Sequence, residues 1–392
     1  MDELYAYFTE HYLPRREVVN RLPVSVSIGE IWPKILAGRA GKAVYLPLHA
    51  KNGEMNWYTP TRALLENGDL VAYALRRQTE QTQSEQDGDG TLEEEARCIC
   101  LLDGIDFSPK AGGEAENGAP APVNRAERAF QNTVAALRYA REHSYLPVTR
   151  DTLLELERIL NRGAGFDAPR AEYRTGAALI AFPRQDAVFR SPKARLVPTL
   201  IDDLLRFLSD SDIHPLIKAA AAQAYFISVH PFTGTGRRTA AVLSDLILFR
   251  AGYRFFREIL PAGLMAQNRE RYERALMASV DPENGYDLTY FIQFYFECLA
   301  QAAGNLKKQD RVSGRLQTLK SALPPGSTRD RLTEGAARLL QESTATVTAT
   351  EWQARTGVSF ETARQDLGTL VRFGLLTLRT EGRKHFYDVD PD

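Results

Sequence analysis

A histidine, two glycines and two arginines stand within nine consecutive residues of this 392-residue chain. His230 comes first, Gly234 and Gly236 follow, and Arg237 and Arg238 complete the run. A histidine can take the proton of an attacking hydroxyl, glycines let backbone N–H groups approach a phosphate, and guanidinium groups bind phosphate oxygens in pairs. Transfer of a phosphate-containing group requires these residue types.

Two predicted helices position this run. Residues 215–229 and 238–251 carry apolar side chains at helical spacing, and Pro215 suits the first turn of the earlier helix. His230 therefore ends one helix, and the loop after it leads into the next. A helix start presents free N–H groups and the positive end of its dipole, so it attracts an anion. Thr235, in the loop, adds a hydroxyl donor.

Each of these residues also has an ordinary structural interpretation. A histidine before Pro-Phe can simply end a helix, and Thr-Gly-Thr-Gly-Arg-Arg can form a surface turn. The residues that follow distinguish the two interpretations. From His230 to Tyr253 the segment resembles the signature of the Fic family, in which His-Pro-Phe, one residue, and Asp or Glu precede Gly-Asn-Gly-Arg, two residues and Arg.

The resemblance includes two departures from the family pattern. In an ungapped register the family's later Ala-Gly-Tyr falls on residues 251–253, the acidic residue becomes Gly234, and the final Arg becomes Ala241. A one-residue gap would align residues 234–237 with Gly-Asn-Gly-Arg at the cost of the downstream match, so we prefer the ungapped register. Both registers lose the carboxylate and the second Arg.

The resemblance implies a mainly α-helical fold, with a helical Fic core and a β-hairpin flap. It also implies transfer of a nucleotide monophosphate, usually AMP from ATP, to a protein hydroxyl, with His230 as the catalytic base. The residues it assigns to the phosphates are Gly234, Thr235, Gly236, Arg237 and Arg238.

Two further segments resemble the parts of the family that bind the target and the base. The flap would lie between Tyr173 and Pro192 and hold a protein target by strand pairing. Asn268 and Tyr272 would form the adenine pocket, with Tyr272 stacking on the base. The alternative for Tyr272 is packing on a helix face.

A third segment resembles an inhibitory helix. In Fic proteins of this layout Ser or Thr, three residues, Glu, and Gly or Asn form a motif whose Glu pairs with the second motif Arg. Here the motif positions hold Ile99, Asp103 and Gly104, and the expected partner of Asp103 is Ala241. We predict that inhibition and handling of the γ-phosphate are lost together; two unrelated changes are the alternative.

These departures limit the predicted activity. With Gly234 at the carboxylate position no metal ligand is predicted, so the ligand is ATP or another nucleotide and a role for magnesium lacks its usual carboxylate. Asp245 is spaced to point away from the loop. AMP transfer should be weak or altered, for instance with a donor of lower phosphate charge. The alternative is an inactive Fic fold that binds a nucleotide or a partner.

The rest of the chain divides by composition. Residues 1–95 are predicted to be a small α/β region ending in a mobile acidic insertion that begins at Gln78, residues 96–304 the Fic domain, and residues 305–328 a polar linker. Residues 329–392 are predicted to form three helices and two strands, a winged helix-turn-helix, with Thr350 and Ser359 as helix caps.

The C-terminal segment could bind DNA or protein. Residues 329–392 hold nine Lys or Arg against ten Asp or Glu, whereas DNA-binding domains are usually basic, so we favour a protein partner. The residues that would face DNA are Thr362, Arg364 and Gln365 on the helix and Arg379, Arg383 and Lys384 on the wing.

The overall composition excludes several classes. A net charge of −1 gives no bulk attraction to nucleic acid or acidic membranes. Cys98 and Cys100 form a lone C-x-C without a second ligand pair, so a zinc site is not predicted. The first residues lack an apolar run suited to a signal peptide or membrane span, which predicts a cytoplasmic protein without a membrane partner. The oligomeric state, a homodimer included, is left open.

Overall fold

The computed structural model describes residues 2–80, 89–105, 125–163, 172–209, 212–253, 261–341, 346–382 and 384–389. The chain divides into two compact units, residues 1–302 and 303–392. Helices predominate in both, as predicted from the sequence. Within the described residues no helix combines the length and apolar character needed to cross a membrane.

The first unit begins with three helices and a short antiparallel sheet. These elements are α1 (Asp2–Glu10), α2 (Arg15–Arg21), α3 (Ile28–Ala40), β1 (Val44–His49) and β2 (Met55–Tyr58). A buried arginine ties them to the end of the unit: the Arg39 guanidinium lies 3.9 Å from the ring centre of Tyr12 and donates a 2.7 Å hydrogen bond to the hydroxyl of Tyr290. The N-terminal region is thus part of the same folded unit.

The remaining elements of this unit are mostly helices. They are α4 (Arg62–Glu80), α5 (Asp89–Leu102), α6 (Arg125–Glu142), α7 (Arg150–Leu160), β3 (Leu179–Phe182), β4 (Ala187–Arg190), α8 (Val197–Ser209), α9 (Pro215–Val229), α10 (Gly236–Arg250), α11 (Pro261–Gln267), α12 (Arg269–Val280) and the first part of α13 (Thr289–Ala322), whose residues after 302 belong to the second unit. Helix α9 lies at the centre, buried on nearly every side, because the alanines of residues 219–224 let its neighbours approach closely.

Two predicted boundaries are corrected by the structure. The acidic insertion does not reach Glu95, because α5 begins at Asp89 and buries Leu92, Ala96 and Ile99 at helical spacing. The middle of the predicted insertion, residues 81–88, lies outside the described residues. The polar linker is helical over much of its length, since α13 continues to Ala322.

The second unit contains three further helices and a three-stranded antiparallel sheet. Its elements are α14 (Ser327–Gln341), β5 (Thr346–Val347), α15 (Ala349–Thr356), α16 (Phe360–Arg372), β6 (Leu376–Glu381) and β7 (Lys384–Val389), with strand order β5-β7-β6. Trp352, Leu367 and Leu370 are central to its core. Buried Asp366 accepts hydrogen bonds from Arg331 and from the Trp352 indole, which fixes α14 and α15 on α16.

One of the two helix caps predicted for this unit is present in the structure, and the other is not. Ser359 caps α16 by accepting a hydrogen bond from the backbone of Thr362. The predicted cap Thr350 lies inside α15 instead. Thr348 caps that helix through a capping box with Glu351, because the Thr-x-x-Glu spacing satisfies two backbone donors at once.

Candidate active site

His230 ends helix α9 in a left-handed conformation, with φ 50° and ψ 60°. This conformation is unfavourable for a residue with a side chain, so surrounding contacts must hold it. Arg174 provides them: its Nε donates to the His230 carbonyl at 2.7 Å, and its Nη2 donates to the Pro192 carbonyl at 2.6 Å. The backbone N–H of Arg174 also donates to the Pro231 carbonyl. The histidine is therefore fixed at the end of α9 by the chain that leads into the hairpin.

The His230 imidazole is half-buried and neutral at physiological pH. Burial, together with the smaller effect of the positive charges of Arg174 and Arg237, lowers its pKa to about 4. Because the pKa lies well below 7, the ring keeps a lone pair free over the whole physiological range. The residue can accept a proton, as a general base must.

The loop after His230 brings the start of α10 against the imidazole. A Cβ on Gly236 would lie 3.4 Å from His230 Nδ1, so a larger residue would crowd the ring. Gly234 has φ +87°, a conformation that glycine adopts without strain. No side chain of the described residues caps α10, so the helix start keeps its backbone donors for another acceptor.

Thr235 does not serve the role predicted for it. The residue is buried, and its hydroxyl donates a hydrogen bond to the carboxylate of Glu157 inside the protein. Burial raises the pKa of Glu157 to about 7, although the bond from Thr235 and the charge of Arg238 oppose that shift. The structure therefore places the Thr235 hydroxyl, predicted to bind phosphate, on Glu157 instead.

Glu157 is a site residue that the sequence prediction missed. It lies on α7 among the buried side chains of Leu153, Leu156 and Leu160. An acidic residue on an otherwise apolar helix face needs an internal partner, because burial of an unpaired carboxylate is costly. An acidic residue among leucines at helical spacing is therefore the sequence signal that could have identified Glu157.

Arg238 forms an ion pair with Asp103, the residue whose expected partner position holds Ala241. Its Nε donates to Asp103 at 2.9 Å, and its other nitrogens reach the carbonyls of Leu160 and Gly234. Both side chains are largely buried, 7% and 13% exposed. The interpretation that the inhibitory contact is lost at both ends is therefore corrected: Asp103 pairs with the first motif arginine instead of the position held by Ala241.

Arg237 reaches from α10 to the hairpin. Its Nη2 donates to the Ala181 carbonyl at 2.6 Å, its guanidinium carbon lies 5.1 Å from the ring centre of Phe182, and its charge opposes the burial that raises the pKa of Tyr272. Its Nη1 is buried and has no hydrogen-bond partner among the described residues. An unsatisfied cationic donor beside His230 is suited to an anion.

The predicted adenine pocket is not formed as expected. Tyr272 is 1% exposed, and its ring packs against Phe291 and Phe294, so no face is open for stacking on a base. Asn268 precedes α12, and its amide donates to the Leu264 carbonyl at 3.0 Å. The packing alternative for Tyr272 fits the structure.

The hairpin predicted between Tyr173 and Pro192 is present. Strands β3 and β4 pair antiparallel, and a turn of 3-10 helix at Pro183–Gln185 joins them. The backbone N–H of Arg184 donates to Glu273 at 3.0 Å, which anchors the turn on α12. The hairpin thus lies beside Arg237 and the start of α10.

The residues present do not fit the magnesium ion that the family resemblance would imply. Position 234 is a glycine, and Glu157 is held inside the protein by Thr235. Asp245 is buried in α10, where burial raises its pKa to about 7. The described part of the chain holds no group of three or more His, Cys, Asp or Glu side chains placed to bind a metal.

Residues 147–248 match the family model described as the Fic/DOC family. Residues 147–248 form a Fic domain. The match spans the hairpin, His230 and most of α10. A similar solved structure, a Fic family protein from Desulfovibrio desulfuricans, has a TM-score of 0.54 at 18% sequence identity, and the alignment covers 86% of this chain and 98% of that one. At this identity the likeness shows the fold.

Two other similar structures are less alike. Fic-1 from C. elegans has a TM-score of 0.44 at 21% identity over 64% of this chain and 73% of that one. A Fic domain containing signaling protein from Bacteroides thetaiotaomicron has a TM-score of 0.43 at 16% identity over 62% of this chain and 94% of that one.

The Fic domain thus brings together most of the predicted residues around His230. A Cβ at Gly236 would reach the imidazole, Arg237 and Arg238 lie at the start of α10, and Asp103 pairs with Arg238. Gly104 follows Asp103 with φ +82°, where a Cβ would lie 3.6 Å from Arg269 Nη2. Thr235 and Tyr272 point into the protein instead.

Proposed function

We propose that the Fic domain transfers a nucleotide-derived group, AMP from ATP in the simplest case, to a protein hydroxyl. The observation that carries this proposal is the neutral His230 imidazole fixed against the uncapped start of α10, with the unsatisfied Nη1 of Arg237 beside it. A base, backbone donors and a cation are the three components that such a transfer needs.

The proposed roles follow from these positions. The neutral His230 imidazole would accept the proton of the target hydroxyl through its unprotonated ring nitrogen. The hydroxyl oxygen forms a bond to the α-phosphorus while the bond from that phosphorus to the pyrophosphate oxygen breaks. Backbone N–H groups at the start of α10 and the Arg237 guanidinium would stabilise the charge on the phosphate oxygens.

Activity should be low for two reasons. Loss of one charge-stabilising group typically slows such reactions by about 10²- to 10³-fold, and this chain lacks both the acidic residue and the second arginine. Arg238 is also held by Asp103, so it cannot face the phosphates while that contact persists. We propose that Asp103 restrains the site through Arg238.

Labelling with ATP that carries a radioactive α-phosphate tests the transfer. We expect faint labelling of protein by the parent, none by His230→Ala, and more by Gly234→Asp, which restores an acidic residue. Because position 234 has φ +87°, any side chain there is strained, and Gly234→Asn is the control of equal shape without the charge. Equal background in all four proteins would contradict the enzyme proposal.

A second candidate function is a Fic fold that binds a nucleotide or a partner without catalysis. The C-terminal unit favours this candidate, since its helix–strand–helix–helix–strand–strand order suits a winged helix. On its wing Arg379 is held by Asp388 at 2.8 Å and also pairs with Glu381, so that cation is already neutralised. We propose a protein rather than a DNA partner for this unit, and a cytoplasmic location for the chain.

A further inference from the structure

We infer that an open cavity in the C-terminal unit binds a small organic carboxylate, a molecule with one carboxylate group on an apolar body. The cavity has a volume of about 520 Å³, within the range of about 300–1,000 Å³ that is typical of ligand sites. It lies within residues 303–392, and its ligand plays no part in the transfer proposed for the Fic domain. Its lining includes Leu323, Leu332, Gln365, Thr369, Arg372 and Phe373, and we call it the α16 cavity.

One part of the lining is apolar. Leu323 follows α13, Leu332 lies in α14, and Phe373 follows α16. Leu332 is 2% exposed and belongs to the core of the unit, whereas Leu323 and Phe373 pack against that core and are only half-buried. An apolar body in the cavity would remove the remaining surface of these two side chains from water, which is favourable.

One face of α16 supplies polar groups to the cavity. Gln365, Thr369 and Arg372 are spaced by four and three residues, so they share a face of the helix. Arg372 Nη2 donates to the Thr369 hydroxyl at 3.0 Å, and that hydroxyl donates to the Gln365 carbonyl at 2.9 Å. These two bonds hold the guanidinium beside the cavity. Thr328, in the first turn of α14, adds a second hydroxyl to the lining.

The charges of the lining favour an anion. Asp366 also lines the cavity, but its carboxylate is already neutralised, because Arg331 donates two hydrogen bonds to it at 2.8 and 3.0 Å and the Trp352 indole donates a third. In the described part of the chain no carboxylate forms an ion pair with Arg372, whose guanidinium is bonded to Thr369. Arg372 therefore leaves the cavity with one uncompensated positive charge.

The single charge of Arg372 selects a carboxylate among the anions. A guanidinium group binds a carboxylate through two parallel hydrogen bonds, and the two charges cancel. A phosphate monoester carries a charge of about −1.5 to −2 near neutral pH, so one guanidinium would leave part of that charge unpaired. The apolar part of the lining adds a requirement for an aliphatic or aromatic body on the same molecule.

Isothermal titration calorimetry of the full chain at neutral pH tests the inference with three probes. Octanoate has both the negative charge and an aliphatic body, octylammonium has the body with the opposite charge, and acetate has the charge without the body. We expect saturable binding of octanoate with a Kd below about 1 mM, and binding at least about tenfold weaker for each of the other two. Equal binding of octanoate and octylammonium, or no saturable binding of octanoate, would overturn the inference.

Substitution of Arg372 locates the binding. Arg372→Gln removes the charge, and it should weaken octanoate binding by about tenfold or more without strengthening that of acetate. Arg364→Gln is the matched control, because Arg364 is also exposed on α16 but does not line the cavity. Its affinity for octanoate should equal that of the parent.

Both substituted positions are exposed, so the two variants should melt at the temperature of the parent. With folding verified in this way, equal affinity of the parent and Arg372→Gln for octanoate would place the binding elsewhere and overturn the inference. An equal loss of affinity in Arg364→Gln would do the same, because it would show a general effect of surface charge.

Discussion

At the scale of single residues, the surroundings of His230 keep its imidazole in the neutral form that the proposed role as a base needs. An unperturbed histidine would be partly protonated near neutral pH, whereas burial and two arginines keep this one neutral. The same two arginines also make structural contacts. Arg174 holds the backbone of His230, and Arg237 donates a hydrogen bond to the hairpin. The sequence identified the residue, but its protonation state depends on neighbours distant in sequence.

The depressed pKa of His230 can be tested by nuclear magnetic resonance. Because the folded pKa lies near 4, the imidazole shifts of His230 should stay constant from about pH 8 to about pH 5, where a free histidine would titrate. The His230→Ala spectrum assigns the signal. A midpoint between about pH 6 and 7 would contradict the burial and charge account.

The raised pKa of Glu157 predicts a pH-dependent stability. In the folded chain this carboxyl holds its proton up to a pKa of about 7, whereas the unfolded chain releases it near pH ~4.3, so its contribution to stability falls as pH rises between these values. Glu157→Gln keeps an acceptor for Thr235 and removes the titration. Between about pH 4 and pH 8 the parent should lose about 3 kcal/mol relative to the variant in denaturant unfolding. A difference that does not change with pH would contradict this.

At the scale of elements, the contact between the end of α5 and the start of α10 carries the proposed restraint of the site. Asp103 follows α5, Arg238 lies in the first turn of α10, and their pairing is largely buried. Release of Asp103 would leave a buried guanidinium unpaired, which is strongly destabilising unless another anion takes its place. A phosphate group is such an anion.

Substitution of Asp103 should therefore couple stability to nucleotide binding. Asp103→Ala should melt at a lower temperature than the parent without ligand, and ATP should raise its melting temperature more than that of the parent. Asp103→Asn, which keeps hydrogen-bonding capacity without the charge, should lie between the two. Equal shifts with ATP in the parent and in Asp103→Ala would contradict the proposed restraint.

The elements themselves were largely predictable, and their partners were not. Helical periodicity located α9 and α10, and turn and alternation signals located the hairpin. The pairing of Asp103 with Arg238 depends on where the end of α5 lies in space, which a motif alignment with Ala241 could not give. The fully buried ring of Tyr272 likewise follows from the packing of α12 on α13, a tertiary contact without a local signal.

At the scale of the whole molecule, the chain contains the Fic domain and, in residues 303–392, a second compact unit. The C-terminal unit has its own core and its own polar anchor at Asp366. Of the residues predicted to face DNA, Arg364 and Gln365 are exposed on α16, whereas Arg379 is paired within the wing. Arg383 lies outside the described residues. The near balance of charge in this unit favours contact with protein.

Gel retardation of mixed-sequence duplex DNA by the full chain tests that preference. We expect no retardation at physiological salt and only weak retardation at low salt, without dependence on Arg364. The control is Arg364→Ala, which removes one exposed cation from α16. Tight retardation that weakens steeply with salt and is lost in Arg364→Ala would show that the unit binds DNA.

The most direct measurement for the whole account is a crystal structure of the Asp103→Ala chain soaked with ATP. We predict phosphate oxygens within hydrogen-bond distance of Arg237 and of the backbone N–H groups at the start of α10, with the His230 imidazole beside the α-phosphate. A nucleotide bound elsewhere, or a His230 imidazole closed off from it by side chains, would contradict the central claim that these residues form one nucleotide site.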